Sequence, residues 1–451
     1  GVGTTVGVAG ADGGSPRVLA TLPPGPFVGS AFVLPRWSPD GRYLAATQST
    51  QQLGEPTTLV LIETETGRVQ RLPPPTEAGV WRGGLAWISA DELLCSQPES
   101  VVGQQTGAGS TLARVQVPSG RSRQLFSSPV SILDLDVVAQ GRLVLGARSL
   151  RQNLREVPLV AAAHASERWL TRGNSADRQP IVSPDGKWLV FSSNRSGNLD
   201  LWATSRESGE LRRLTDDPAQ DSDPGFAPDG RLLWTSNRGG RFEVWTAEAD
   251  GSGPRQLTSD GVDAENPVAT PDGRHVLYWS GNPRTRGIVK MRGDGTGATL
   301  LLPGNLTLPE VSPDGRHVAF VSDGGGSVTT LRVARVADGA LTPLEIRFPR
   351  WSPRTTIDQG RCRWLPDGRG LVYVGREGDG RYAVYLQPID ADVRPQGPPR
   401  RVTAVDPDLD AESLAVAPDG RRLIVSLREQ IFDLMLADGV PEVRRAGSVA
   451  P

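Results

Sequence analysis

The side chains able to do chemistry are few and poorly gathered. The 451-residue chain holds three histidines, His164, His275 and His317, and two cysteines, Cys95 and Cys362. His275 and His317 share one local setting, Asp-Gly-Arg-His-Val, which reads as two surface-strand histidines in separate repeats. No His-x-x-x-His, Cys-x-x-Cys or EF-hand spacing occurs, so no metal ligand set presents itself. No Gly-x-Ser-x-Gly elbow is present either, and no α/β-hydrolase region follows the repeats. The sequence therefore predicts no catalytic residue and no bound cofactor. One stretch is different: Thr215 to Pro224 carries Asp216, Asp217, Asp221 and Asp223. Clustered carboxylates suit a hard cation such as calcium. Asp in turns equally serves as a backbone cap, and both readings stay open.

The elements that must position these residues follow from a repeat. Ser-Pro-Asp-Gly stands at Ser38, Ser183 and Ser312, with variants from Ala227, Thr270, Leu365 and Ala417. Pro presets φ, Asp caps the turn and Gly takes the positive φ that leaves it. Around Asp185 the turn leads into Trp188-Leu189-Val190-Phe191, an alternating strand that stops at Asn194-Arg195-Ser196-Gly197. A third apolar run and a short outer run, Leu211 to Thr215, complete the unit. With two weaker copies, the units centre near 40, 91, 140, 185, 229, 272, 314, 367 and 419. Their spacing runs from 42 (272 to 314) to 53 (314 to 367). A four-stranded propeller blade needs roughly 40 to 50 residues, and one blade cannot bury both faces alone. The expected fold is all-β, a single β-propeller over 1–451 with eight or nine four-stranded blades. Residues 1–30 read as half a blade that helps to close the ring.

In that architecture the acidic loop from Thr215 leads into the innermost strand of a blade, at the mouth of the channel. Trp37, Trp87 and Trp351 precede turn positions and could face the channel or its rim, where exposed aromatics suit a peptide or a sugar; core packing is the alternative. The insertions Gln97 to Ser110 and Phe348 to Gly360 break the rhythm, and the second is the favoured local contact for a partner. The two cysteines, in different repeats, predict no disulfide framework. Net charge is −2 with scattered Lys and Arg, which argues against nucleic acid. No apolar run of about 18 residues exists to cross a membrane. The start at Gly1, in mid-architecture, suggests a segment of a longer protein.

The pattern apolar-Ser-Pro-Asp-Gly-Lys/Arg, then Ser-Asn-Arg-x-Gly, then Asp-Gly and Arg-x-Leu-Thr, resembles the TolB-type, WD-like β-propeller repeat over nearly the whole chain. The resemblance implies a fold more than a function, because that repeat serves many proteins. TolB carries an α/β domain ahead of its propeller, which nothing here matches. The resemblance also extends to the sensor regions of bacterial receptor-type Ser/Thr kinases and to the propellers of prolyl-oligopeptidase-like peptidases. The expectation is a non-enzymatic domain that binds a protein or peptide, or acts as a sensor, within a larger bacterial signalling or envelope protein on the extracytoplasmic side. The alternative is the propeller of a prolyl-oligopeptidase-like or polysaccharide-active enzyme whose catalytic part is not in this chain.

Overall fold

The computed structural model describes residues 4–9, 14–22, 31–32, 35–49, 58–72, 84–98, 109–128, 130–139, 141–159, 167–323, 328–349, 361–378, 380–440 and 443. All regular structure among them is β. The chain divides into two compact units, Gly1–Leu150 with Gln430–Pro451, and Arg151–Glu429. Among the described residues the second unit closes on itself with six blades, where the sequence suggested a single ring of eight or nine.

Five of its blades are consecutive in sequence, each four antiparallel strands in the order of the chain. Their innermost strands are Asp177–Val182, Asp221–Phe226, Ala264–Ala269, Leu306–Val311 and Cys362–Trp364. Blade six is assembled from both ends of the unit. Leu409–Val416 is innermost, then residues 422–429 of the strand Arg422–Ala437. The strand Arg142–Pro158 supplies residues 151–158, and Arg168–Trp169 closes the outer edge. Leu159 donates its amide to the Arg421 carbonyl at 2.9 Å. Each innermost strand packs on the next, and Leu409–Val416 packs on Asp177–Val182, which completes the ring. At that joint Leu154, Ala415 and Ile424 of blade six share a core with Val182, Leu189 and Phe191 of blade one.

The turns form as the sequence requires. Ser183 donates its hydroxyl to Asp185 at 2.5 Å and accepts the Trp188 amide at 2.9 Å. The Lys187 amide reaches the same carboxylate at 3.0 Å. Ser312 and Asp314 repeat the arrangement. Where Ala227, Leu365 or Ala417 replaces Ser, the Asp still accepts the amide two residues on.

The first unit holds two complete sheets. One pairs Ala31–Phe32 and Arg36–Trp37 with Tyr43–Ser49, followed by Thr58–Glu63 and Val69–Leu72; the other runs Leu85–Ser89 to Ser122–Ser128. Ser131–Ala139 pairs with the first part of Arg142–Pro158. Among the described residues Thr4–Val8 and Arg17–Leu22 pair with each other, and Leu19 and Ala20 pack on Leu44, Val60 and Ile62 of the neighbouring sheet. Ile431 to Leu436 continues the strand that begins at Arg422.

The joint between blades six and one is the place to test closure. Leu154→Ala and Ile424→Ala should each cost about 2–5 kcal/mol, read from chemical denaturation. Because both side chains share one core, the double variant should depart from additivity. Strict additivity would refute the shared joint.

Candidate binding channel

The innermost strands surround the channel of the second unit, and four of them carry the same irregularity. Gln179, Asp223, Asn266 and Leu308 all have positive φ, between 51° and 56°, and each directly precedes a proline. The strand register slips at each of these points. Non-glycine residues rarely occupy this region, and such strain persists only where surrounding structure holds it. The four bulges re-aim these residues, which line a cavity of about 230 Å³ together with Glu310, Arg361 and Arg363.

Charges in the channel wall are paired across blades. Arg178 of blade one meets Glu412 of blade six at 2.9 Å. Glu412 also accepts from Gln152 at 3.3 Å and from the Ser413 hydroxyl. Arg361, just ahead of blade five, reaches Asp223 of blade two at 3.4 Å and Glu412 at 3.9 Å. Asp223 exchanges two hydrogen bonds with Gln179, at 2.7 and 3.0 Å. Arg363 binds Glu310 at 2.9 Å. Burial works to raise the Glu412 carboxyl, but Arg178, Arg361 and its hydrogen bonds outweigh it and hold the group at about 2. Glu310 is raised, because burial outweighs Arg363.

Glu265 stands apart. Among the described residues it makes no hydrogen bond and no ion pair. Burial, with the nearby charges of Asp223 and Asp263, pushes its carboxyl up to about 8, and Arg361 only partly offsets this. Its side chain nonetheless keeps partial solvent exposure.

The sequence-predicted site residues disperse. Asp216 is exposed and bound to Arg213 at 2.5 Å. Asp217 pairs with Arg238 at 2.6 Å. Asp221 is fully buried, gripped by the same guanidinium at 2.9 and 3.1 Å and by the Trp234 indole N–H at 3.0 Å. Only Asp223 reaches the channel. Arginine pairs with these carboxylates, and among the described residues no group of three or more His, Cys, Asp or Glu is arranged to hold a metal ion. Trp87 is buried, its indole N–H donating to the Arg36 carbonyl at 2.9 Å, so it is core and not a binding aromatic. Trp37, on the other complete sheet of the first unit, is 50 % exposed. Trp351, His164 and the body of both insertions lie outside the described residues. Cys95 and Cys362 are buried free thiols, raised by desolvation and thus inert as nucleophiles. His317 is lowered by burial and lies against Trp364.

Sequence reasoning missed a lock built on the Asn-Arg turn. Arg195 binds buried Asp177 at 2.7 Å and lies over the rings of Phe191 and Trp202. Arg238 repeats this with Asp221, Trp234 and Trp245. Asn194 and Asn237 each accept the amide just ahead of the inner strand or its first residue's neighbour, from Ala176 and Gln220, at 2.7 Å. The signal was available: an Asp opens these two inner strands, 18 and 17 residues before the Arg.

Residues 157–355 match the family described as TolB beta propeller domain. This stretch carries the TolB-type β-propeller repeat. An uncharacterized protein of Agrobacterium fabrum is 34 % identical over 61 residues, covering 14 % of this chain and 21 % of that protein. The uncharacterized peptidase YuxL of Bacillus subtilis is 42 % identical over 64 residues, 14 % of this chain and 10 % of that protein. The matched stretches thus span about a fifth and a tenth of these relatives' lengths. The structure of a putative TolB from Agrobacterium tumefaciens is 20 % identical, with 63 % of this chain and 99 % of that chain covered and a TM-score of 0.48.

Arg238→Ala should cost about 3–5 kcal/mol, because it leaves Asp221 charged, buried and unpaired; adding Asp221→Asn should recover part of the loss. Denaturant midpoints decide this, and a neutral Arg238→Ala would dismiss the lock. Two channel carboxylates give opposite pH signatures. The depressed Glu412 contributes stability that is present above its ordinary value of 4.5 and lost as pH falls toward about 2. Glu412→Gln should therefore flatten acid unfolding across that window. The raised Glu265 works against folding as pH rises from 4.5 through about 8. Glu265→Gln should gain melting temperature over the parent across that range, and the two should converge below it.

Proposed function

We propose that the second unit is a non-enzymatic binding platform that takes a protein or peptide at the mouth of its channel. The observation that carries this reading is the pairing of the channel charges. Arg178–Glu412, Arg361–Asp223 and Arg363–Glu310 hold blades to one another. They do not converge as a nucleophile, base and orienting group on one reacting atom. The mouth is bordered by the loops that enter each blade, acidic at Asp216, Asp217, Asp260 and Asp263. Such a surface suits recognition by a partner with complementary positive charge. The TolB-type repeat supports placing it in a larger bacterial envelope or signalling protein, as an interaction or sensor domain on the extracytoplasmic side. Among the described residues no helix is long and apolar enough to cross a membrane.

The test is site-specific photo-crosslinking in the native host. A crosslinking residue at Asp260, exposed on the entry loop, should yield one discrete adduct, identified by mass spectrometry and reproduced with purified partner. The same residue at Gly368, on the opposite turn face, should yield none. Equal labelling at both positions, or no adduct at Asp260, would reject the platform.

A further inference from the structure

We propose that the groove between blades one and two, on the face of the Ser-Pro-Asp-Gly turns, binds an extended peptide that presents an apolar side chain flanked by basic residues. The site is separate from the platform at the channel mouth and goes beyond it: other residues form it, on the opposite face of the second unit.

The groove holds about 520 Å³, the size of a site that encloses a small ligand. Trp188, Val190, Ala203 and Leu214 of blade one wall it with Phe226 and Pro228 of blade two. Its floor is the core that joins the blades, where Val190 and Ala203 pack with Leu232 and Trp234. Ala203 is what leaves the space open. It pairs with Val190 across the ladder, and the corresponding pairs of the next four blades are Leu233–Thr246, Leu277–Lys290, Ala319–Val333 and Val372–Leu386. Each places a larger side chain where blade one has alanine. Lys290 shows the effect: from the cleft between blades three and four its Nζ donates to the Val336 carbonyl at 2.9 Å, tying one blade to the next across the gap.

The rim of the groove is acidic in its uncommitted groups. Asp185, Asp229 and Asp250 border it from three separate turns, and all three are exposed. Each accepts a backbone amide, from Lys187, Arg231 and Ser252, and among the described residues none has an ion-pair partner. At the cleft between blades three and four the matching Asp272 and Asp314 are held by Arg274 and Arg316, at 3.7 and 3.9 Å. In blade two the matching Arg231 turns to Glu248 at 3.6 Å. The two cations that line the groove are already engaged. Arg213 grips buried Asp200 at 2.8 Å and Asp216 at 2.5 Å, and Arg212 holds Glu210 at 2.7 Å while lying over the Trp188 ring. An apolar side chain therefore finds walls to cover, and a cation beside it finds carboxylates with no counter-ion to displace. Three carboxylates on three turns ask for more than one cation at fixed spacing, which the flanking residues of an extended peptide supply and a lone amine does not.

Isothermal titration calorimetry on the whole chain tests this with acetyl-Gly-Lys-Phe-Lys-Gly-amide. The peptide should bind saturably, and more weakly as salt is raised. Its Gly-Lys-Gly-Lys-Gly and Gly-Glu-Phe-Glu-Gly counterparts should each bind at least about tenfold more weakly. Ala203→Leu should fill the groove and weaken binding by about tenfold or more, the size of one apolar side chain's burial; Leu386 occupies the corresponding place in blade five, so the strand accepts it. Asp229→Asn and Asp250→Asn keep the oxygen that accepts the turn amide, and each should weaken binding about two- to fivefold, the size of an exposed ion pair. They carry the test should Ala203→Leu fail to fold. Asp272→Asn, at the other cleft, should change nothing. Absence of saturable binding, equal binding of the charge-inverted peptide, or unchanged affinity in both Asn variants overturns the proposal. So does a concentration-dependent dimer that Ala203→Leu dissolves, since a second copy would then be the occupant. The Asp260 crosslink decides the platform and these titrations decide the groove, so either reading can fall alone.

Discussion

A propeller blade has two apolar faces and no means of covering both. Everything in the second unit depends on meeting that constraint, and the decisive contact is the joint where blade six meets blade one. There Leu154 and Ile424, more than 250 residues apart in sequence, lie in one core with Phe191. The joint is reinforced by polar contacts that only a closed ring can offer. Gln152 donates to the Ser426 hydroxyl at 2.8 Å, Ser426 donates to the Asp177 carbonyl at 2.9 Å, and the Gln179 amide donates to the Ser413 hydroxyl at 2.9 Å. Building the last blade from both ends of the unit leaves no open edge there. It also makes the joint a contact of high sequence separation and hence of high loop-closure cost.

The same closure explains the channel. Six inner strands brought around one axis place polar side chains from different blades within reach of one another, away from bulk water. Carboxylates in that setting are tolerated only with partners, so the guanidinium of Arg361 crossing toward Asp223, opposite it in a six-membered ring, does for the channel what Arg195 and Arg238 do for individual blades. The positive-φ residues before Pro180, Pro224, Pro267 and Pro309 are part of the same design. Each bulge shortens the ladder on the inner strand and turns a polar side chain or a backbone group toward the axis. Strain spent four times at equivalent places points to a shape the channel requires rather than to an accident of one loop.

Much of the fold was legible, because the features that carry it are local. The Ser-Pro-Asp-Gly turn is written in adjacent letters, and its hydrogen bonds form as those letters demand. The number of blades in a ring is not local. Period reveals that repeats exist, and it says nothing about which repeat seals against which. Two clues were present and pointed away from a single ring. Arg142–Pro158 and Arg422–Ala437 run 17 and 16 residues as strands, with no Gly, Pro or Asn-Gly where a turn between blade strands would need one, apart from Gly146 inside the first and Pro158 at its end. Each strand runs from one unit into the other along the chain, so the repeats near 140 and 419 are not independent blades. The site was less legible than the fold for a related reason. Asp221 and Asp223 differ by two positions in sequence, yet one is sealed beneath Trp234 and the other faces the channel, because the bulge at Asp223 breaks the alternation that would have put both on one side.

That break in alternation is also what isolates Glu265. In blades one and six the equivalent position carries Arg178 and Glu412, which satisfy one another across the joint. In blades two and four it carries Ser222 and Thr307, which need no counter-ion. Blade three places a carboxylate there with neutral neighbours on both sides and the only nearby cation committed elsewhere. Among the described residues this is the one inner-strand charge without an ion-pair partner. Glutamine at this position would remove a charge that resists folding as pH rises above the ordinary carboxylate range, so the pairing seen in the other blades is a device for tolerating inner-strand charge and not a requirement of the strand itself.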